Sequence, residues 1–173
     1  MKLMKRSALF LMVVLPLLLL SSCVFEPEEP KEEVIYAQSD VAAGDKYTVQ
    51  IMGVTETQLI PSLSDFRTEN RYLIVEVRIT NHTTMDATFS ASDFTVSDGT
   101  HSFDHLSTEA YWYGKDRDVP GLSYIETVKE GLSSRFYLVF EVPESVQSRE
   151  YFLTIEYPAF DGQVKFRINA LTA

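Results

Sequence analysis

The chain has 173 residues and carries 25 acidic against 15 basic side chains, a formal net charge of −10 at pH 7. This excess of negative charge repels phosphate backbones, which disfavours nucleic acids as partners. A single cysteine excludes an internal disulfide framework. The length is sufficient for one domain with one hydrophobic core.

Residues 1–22 have the composition of a secretory signal peptide. Three basic residues precede an apolar run from Ala8 to Leu20, and small residues follow the run. The run is shorter than the roughly 20 residues that a membrane-spanning helix needs, but it matches the apolar core of a signal peptide. We therefore expect an exported protein.

The stretch from Leu20 to Cys23 resembles the bacterial lipobox, in which a signal peptidase cuts before the cysteine. The resemblance implies that Cys23 carries thioether-linked diacylglycerol, which with further acylation anchors a protein stably to a bilayer. The expected location is extracytoplasmic, on the cell membrane or the outer membrane. Val24 stands where an inner-membrane retention signal has aspartate, which favours the outer membrane in a two-membrane cell. The alternative is an ordinary cleaved signal with an incidental cysteine.

Residues 23–44 are predicted to be the lipidated cysteine followed by an acidic linker. The first part of this segment is rich in glutamate and proline, namely Glu26, Glu28, Glu29, Glu32, Glu33, Pro27 and Pro30. Like charges and prolines keep such a segment extended and solvated, so we expect a disordered stalk. Cleavage of the signal removes three basic residues and no acidic ones, which makes the mature chain still more acidic.

Residues 45–173 are predicted to form an all-β domain. The most regular alternation lies in Arg71–Asn81, where one face carries Leu73, Val75, Val77 and Ile79 and the other face is expected to contact water. A second strong strand alternates from Phe136 to Val142 and ends before Pro143. About eight short strands and no helix of 3.6-residue period predict an antiparallel β-sandwich, with a barrel as the alternative.

Three shorter features complete the predicted domain. A first strand begins at Tyr47 and ends near Gly53. Asp98 and Gly99 are the two-residue signal of a tight hairpin, which predicts Val96 opposite His101 and Phe94 opposite Phe103. The stretch from Leu106 to Gly121 is predicted to be irregular.

The order of these features resembles the telokin-like, immunoglobulin-like domain of bacterial lipoproteins, a domain family of unknown function grouped with secreted immunoprotective antigens. The matching parts are the strand ending in Asn81, Ser92 to Phe94 leading to Asp98 and Gly99, the turn glycine Gly131, and Val139 to Pro143. The resemblance implies an immunoglobulin-like β-sandwich of about 7–9 strands behind a lipoprotein signal. It assigns no catalytic residues.

Motifs for catalysis are missing from the sequence. There is no HExxH, no phosphate-binding glycine loop and no GxGxxG. We therefore expect a noncatalytic binding or accessory module without a cofactor, and a hydrolase is the weakest alternative.

Metal binding is a further alternative, because His101 and His105 lie near Asp104 and Glu109, which are ligand types that zinc or copper accepts. On a continuous strand the two histidines would be roughly 13 Å apart, too far to share one ion unless the chain turns at Asp104. The simpler interpretation is that His101 caps the sandwich and His105 is solvated.

The expected recognition surface is the aromatic run Tyr111, Trp112 and Tyr113, beside the charged stretch 115–118. Successive side chains of an extended segment alternate faces, so at least one aromatic ring must face outward. Tryptophan and tyrosine are frequent interface anchors, which predicts contact with a protein or glycan of the cell envelope. In the alternative, Trp112 fills the core and the tyrosines cover the end of the sandwich.

Overall fold

The computed structural model describes residues 33–60, 67–157, 160 and 163–172. The predicted signal peptide, Cys23 and the glutamate-rich stalk up to residue 32 lie outside the described residues. The strands of the described part are β1 Ile35–Ala37, β2 Val41–Ala43, β3 Tyr47–Leu59, β4 Arg67–Asn81, β5 Ala87–Ser90, β6 Phe94–Ser97, β7 Ser102–Asp104, β8 Ile125–Val128, β9 Ser133–Val142, β10 Glu150–Glu156, β11 Gln163–Asn169 and β12 Leu171–Thr172.

Strand pairing divides the described residues into two five-stranded sheets and a two-stranded ribbon. One sheet has the order β1-β11-β10-β6-β7, and the other has the order β12-β3-β4-β9 with β2 paired to β3. Strands β5 and β8 form the ribbon. The pairs are antiparallel except β1 with β11 and β12 with β3. The predicted all-β sandwich is confirmed.

The core lies between the inner faces of the two sheets. Along β4, side chains at alternate positions are completely buried, as the sequence predicted, and these are Leu73, Val75, Val77 and Ile79. Strand β9 contributes Phe136, Leu138 and Phe140, and the facing sheet contributes Leu153, Ile155, Phe166 and Ile168. Period-two alternation therefore identified the buried faces correctly.

Strand β3 is longer than predicted. It continues past Gly53 to Leu59, and its pairing with β4 shifts between Ile51 and Gly53. This shift is a β-bulge at Met52, which absorbs one extra residue and lets the ladder resume. Gly53 therefore marks an irregularity inside the strand, and the predicted strand end there is wrong.

The domain also begins earlier than predicted. Strand β1 pairs with β11 and β2 pairs with β3, although both strands fall within residues 23–44, which were assigned to the linker. The residues from Val34 onward form one compact unit. Short edge strands escape sequence patterns because three residues are too few to show a period. The predicted domain start at residue 45 is therefore too late.

The hairpin between β6 and β7 has a different register from the predicted one. Val96 lies opposite Phe103, and the loop residues are Gly99 and Thr100. Gly99 has a φ of +89° at the first central position, as in a type II′ turn, and the Asp98 carboxylate accepts the backbone N–H groups of Thr100 and His101. Phe94, Val96 and Phe103 are buried as predicted, but the predicted cross-strand partners are wrong, and His101 is exposed.

The described residues contain one α-helix, α1, which covers Ser107–Gly114, and a 3₁₀ turn at Ala91–Asp93. In this part of the chain no helix is long and apolar enough to cross a membrane.

Candidate functional site

Helix α1 occupies the first half of the segment from Leu106 to Gly121, where the prediction of irregular structure is wrong, whereas residues 115–120 have no regular structure. Its fully buried positions are Ala110 and Gly114, four residues apart on one face. Because both residues are small, the sequence shows no stripe of large apolar side chains that would indicate a helix. A helix also rotates each residue by about 100°, so the three adjacent aromatic residues point in three directions.

The helix packs on the outer face of the sheet that contains β4 and β9. A second buried cluster, separate from the main core, lies where the helix meets the sheet. It consists of Ala110 from the helix together with Ile60, Tyr72, Ile74 and Val139. Leu106, Trp112, Tyr113 and Tyr137 pack against this cluster as partly buried residues. The outer face of β4, predicted to contact water, is therefore covered along its first half.

Backbone contacts hold α1 and its flanking segments to β9. The N–H of Leu106 donates to the carbonyl of Val139 at 2.7 Å, and the N–H of Tyr137 donates to the carbonyl of Pro120 at 2.8 Å. Gly121 lies so close to the helix that a Cβ atom there would be 1.6 Å from the carbonyl oxygen of Ala110. The end of α1 is therefore docked backbone to backbone, which requires glycine.

The three aromatic residues of the predicted recognition surface differ in their exposure and contacts. Tyr111 is 49% exposed, and its ring lies 5.4 Å from the Trp112 ring at an interplanar angle of 76°. Trp112 is partly buried, and the Lys115 ammonium lies 4.1 Å from the centre of its ring. Tyr111 thus faces outward, whereas Trp112 packs against the cluster beneath the helix and does not belong to the main core.

Tyr113 is held in place by contacts with neighbouring side chains. Its ring contacts the Arg117 guanidinium at 3.8 Å and the Tyr137 ring at 4.9 Å in an edge-on geometry. Arg117 also donates a hydrogen bond to the carbonyl of Tyr113. These contacts occupy Tyr113 within the fold, so Tyr111, Trp112 and Lys115 define the candidate contact surface, which we call the α1 surface.

The two histidines of the metal alternative have separate environments. His101 is exposed in the hairpin turn, and its Nδ1 lies 3.2 Å from Asp98 Oδ2. His105 is largely buried and lies edge-on to Phe140 at 5.8 Å, and neither of its ring nitrogens has a hydrogen-bond partner among the described residues. The expectation that His105 is solvated is therefore wrong. Among the described residues, no group of three or more His, Cys, Asp or Glu side chains is arranged to hold a metal ion.

The burial of His105 makes stability depend on pH. Burial lowers the pKa of His105 to about 4, from 6.5 in the unfolded chain. Because the unfolded chain binds this proton first, the stabilisation is complete above pH 6.5 and is lost as the pH falls toward 4, by roughly 3 kcal/mol. We expect His105→Phe to flatten this part of the unfolding free-energy curve, measured by urea denaturation at several pH values.

The matched control for this experiment is His101→Gln, which alters the exposed histidine. It should leave the slope between pH 4 and 6.5 as in the unchanged protein. If His105→Phe and His101→Gln give the same pH profile, His105 is not the titrating group.

Comparison with known proteins places the fold in a family. The family model described as Domain of unknown function (DUF4352) matches residues 37–166, which run from the end of β1 through α1 and into β11. The chain belongs to this family. No curated protein matches the chain. Membership in the DUF4352 family defines no ligand, and the telokin-like label stays a prediction.

Three crystal structures share the sandwich. The ycdA protein of Bacillus subtilis, described as a candidate lipoprotein, superposes with a TM-score of 0.56 at 19% identity over 80% of this chain and 39% of its own. The yjhA protein of Bacillus subtilis gives 0.58 at 13% identity, over 78% of this chain and 100% of its own. An uncharacterized β-sandwich protein of Clostridium difficile gives 0.50 at 13% identity, over 82% and 100%. Because these sequence identities are low, the similarity shows a shared fold and assigns no function to this DUF4352 member.

Proposed function

We propose that this DUF4352 protein is a lipid-anchored, extracytoplasmic and noncatalytic module that binds a protein partner through the α1 surface. The anchor is Cys23, which follows the signal-like segment directly. A lipid anchor on a sandwich of this kind is consistent with the description of ycdA as a candidate lipoprotein.

The observation that carries the binding proposal is the placement of α1 outside a completed core. The main hydrophobic cluster closes between the two sheets without any residue of α1. The helix nevertheless holds Tyr111 in solvent beside Trp112 and Lys115. An exposed tyrosine beside a partly buried tryptophan and a basic side chain is typical of the energetic centre of a protein interface.

The ring geometry favours a protein over a glycan. Sugar rings stack on an open aromatic face, but the Lys115 ammonium covers the Trp112 ring. Tyr111 and Trp112 meet nearly perpendicular and so present no continuous flat platform. An irregular surface that combines aromatic edges with a cation suits a protein partner, to which it offers apolar area and hydrogen bonds together.

The binding proposal can be tested by site-specific photo-crosslinking in the native cell. A photoreactive phenylalanine analogue at position 111 is expected to yield a discrete protein adduct, and the additional change Lys115→Glu is expected to remove it. The control position is Tyr124, a tyrosine that is 73% exposed and lies outside α1. Equal adducts from positions 111 and 124, or an adduct unaffected by Lys115→Glu, would contradict the proposal.

The anchor is tested separately by Cys23→Ala. Removal of the acylated side chain leaves no lipid attachment, so the protein should move from the membrane fraction to the soluble extracytoplasmic fraction. Ser22→Ala is the control, because it keeps a small residue before the cut and should leave the protein in the membrane. If Cys23→Ala does not change the fractionation, the lipoprotein assignment fails.

A further inference from the structure

A polar cavity lies where strands β3 and β4 meet the connection between β9 and β10. It has a volume of about 380 Å³. The described residues that line it are polar apart from one valine, namely Gln58, Arg71, Glu144, Val146, Gln147 and Arg149. Such a lining differs from the mostly apolar pockets that accept hydrophobic ligands.

A buried carboxylate organises the arginines of this cavity. Glu56 is 7% exposed, accepts hydrogen bonds from Arg149 and from the Tyr151 hydroxyl at 3.2 Å, and lies 3.6 Å from Arg71 Nη1. Burial together with the charge of Glu56 raises the pKa of Tyr151 to about 12, so its hydroxyl remains a donor. Two guanidinium groups thus share one buried carboxylate, and the second negative charge in the described lining is that of Glu144.

Arg71 retains unused hydrogen-bonding capacity. Its side chain is 14% exposed, and its Nη2 donates to the carbonyl of Val146 at 2.6 Å. The Nε atom has no hydrogen-bond partner among the described residues, and it is covered, so a ligand reaches it only when the Arg71 side chain turns toward the cavity. An unpaired donor away from water is costly, and on a guanidinium it is most strongly satisfied by a carboxylate oxygen. A purely structural ion network accounts for the position of Glu56 but leaves this donor without an acceptor.

The loop beside the cavity is held in place by hydrogen bonds. The N–H of Val146 donates to the carbonyl of Pro143 at 3.0 Å, and the hydroxyl of Ser148 donates to the carbonyl of Glu150 at 2.7 Å. The N–H of Glu144 reaches Asn70 Oδ1 at 3.4 Å. A site built on such a loop needs little ordering when a ligand binds.

We propose that this cavity binds a carboxylate that lies beside an N–H group, as at the C-terminus of a peptide. Arg71 supplies the guanidinium that pairs with the ligand carboxylate, and Arg149 adds the second positive charge at the mouth. Glu144 favours ligands that place a donor next to the carboxylate, since its own charge disfavours a bare anion. Gln58 and Gln147 offer both donors and acceptors to the neighbouring amide.

The test uses the nitrogen-15-labelled mature chain and follows the Arg71 Nε–H resonance, assigned by its loss in Arg71→Lys. Addition of N-acetylglycine at about 10 mM, which detects millimolar affinity, is expected to shift this resonance and the backbone amides of residues 144–149. N-acetylglycinamide, which lacks only the charge, is expected to leave them in place. Arg149→Gln should weaken binding about tenfold, whereas Arg135→Gln, which breaks an ion pair with Glu76, should have no effect.

Several results would overturn the proposal. These are no shift with N-acetylglycine, equal shifts with the amide, or unchanged affinity in Arg149→Gln. An equal response to galacturonate, a sugar acid without an N–H group beside its carboxylate, would overturn the assignment to a peptide terminus.

Discussion

Val77→Asp is expected to lower the free energy of unfolding by about 3–5 kcal/mol, or to prevent folding altogether. Val77 is completely buried in β4, where it lies opposite Ile51 on β3 and Phe136 on β9. An aspartate at this position would bury a carboxylate among apolar side chains without a partner. The loss should appear in urea unfolding followed by circular dichroism.

The matched control is Arg78→Asp, the same new side chain one position later and on the opposite face of the strand. That position lies across from Arg135, which suits an aspartate electrostatically, so little stability should be lost. Comparable destabilisation by both variants would show that the register of β4 is wrong.

Gly121→Ala is expected to cost roughly 2–3 kcal/mol and to displace α1 from the sheet. The new Cβ would be 1.6 Å from the carbonyl oxygen of Ala110 and 2.9 Å from the N–H nitrogen of Tyr111, so the helix backbone has to move. Movement of α1 exposes Trp112, and its fluorescence should shift to longer wavelength and become easier to quench with acrylamide.

Gly53→Ala provides the control, because a Cβ atom there meets nothing within 4 Å. It should leave both the Trp112 emission and the unfolding midpoint close to those of the unchanged protein. If the two alanine variants behave alike, the close approach between Gly121 and α1 does not exist in solution.

The β-sandwich could be predicted from the sequence, because the alternation of buried and exposed side chains along a strand is a local pattern. A strand with one buried face shows a period of two, and the inner residues of β4 and β9 follow this period without exception from Leu73 to Ile79 and from Phe136 to Val142. Strand ends and partners depend on the tertiary structure, as the bulge at Met52 and the shifted hairpin at Gly99 show.

The covered outer face could have been inferred from a departure from that period. Tyr72, Ile74 and Val139 are apolar at positions where a wet face would carry polar residues, and all three are buried beneath α1. The helix could not be predicted from an apolar stripe in the sequence, because its contact with the sheet depends on Ala110 and Gly114, whose side chains are small or absent.

The cavity residues carried no signal in the sequence. Glu56, Arg71 and Arg149 belong to three separate parts of the chain and come together only through the pairing of β3 with β4 and the return of the chain before β10. A charged residue within an alternating strand is ordinarily a solvated one, so its burial becomes visible only in three dimensions.

The docking of α1 also affects whether two copies of the protein can pair through the edge of strand β9. Strand β9 is ten residues long, and of the described strands only β4 forms a ladder with it, so its other edge would offer backbone hydrogen-bonding groups to a strand of another copy. Residues on both sides of the helix occupy this edge, since His105 bridges to Phe140 and Gly121 bridges to Tyr137. The segment that displays Tyr111 thus also shields this edge of the sheet against pairing with a strand of another copy.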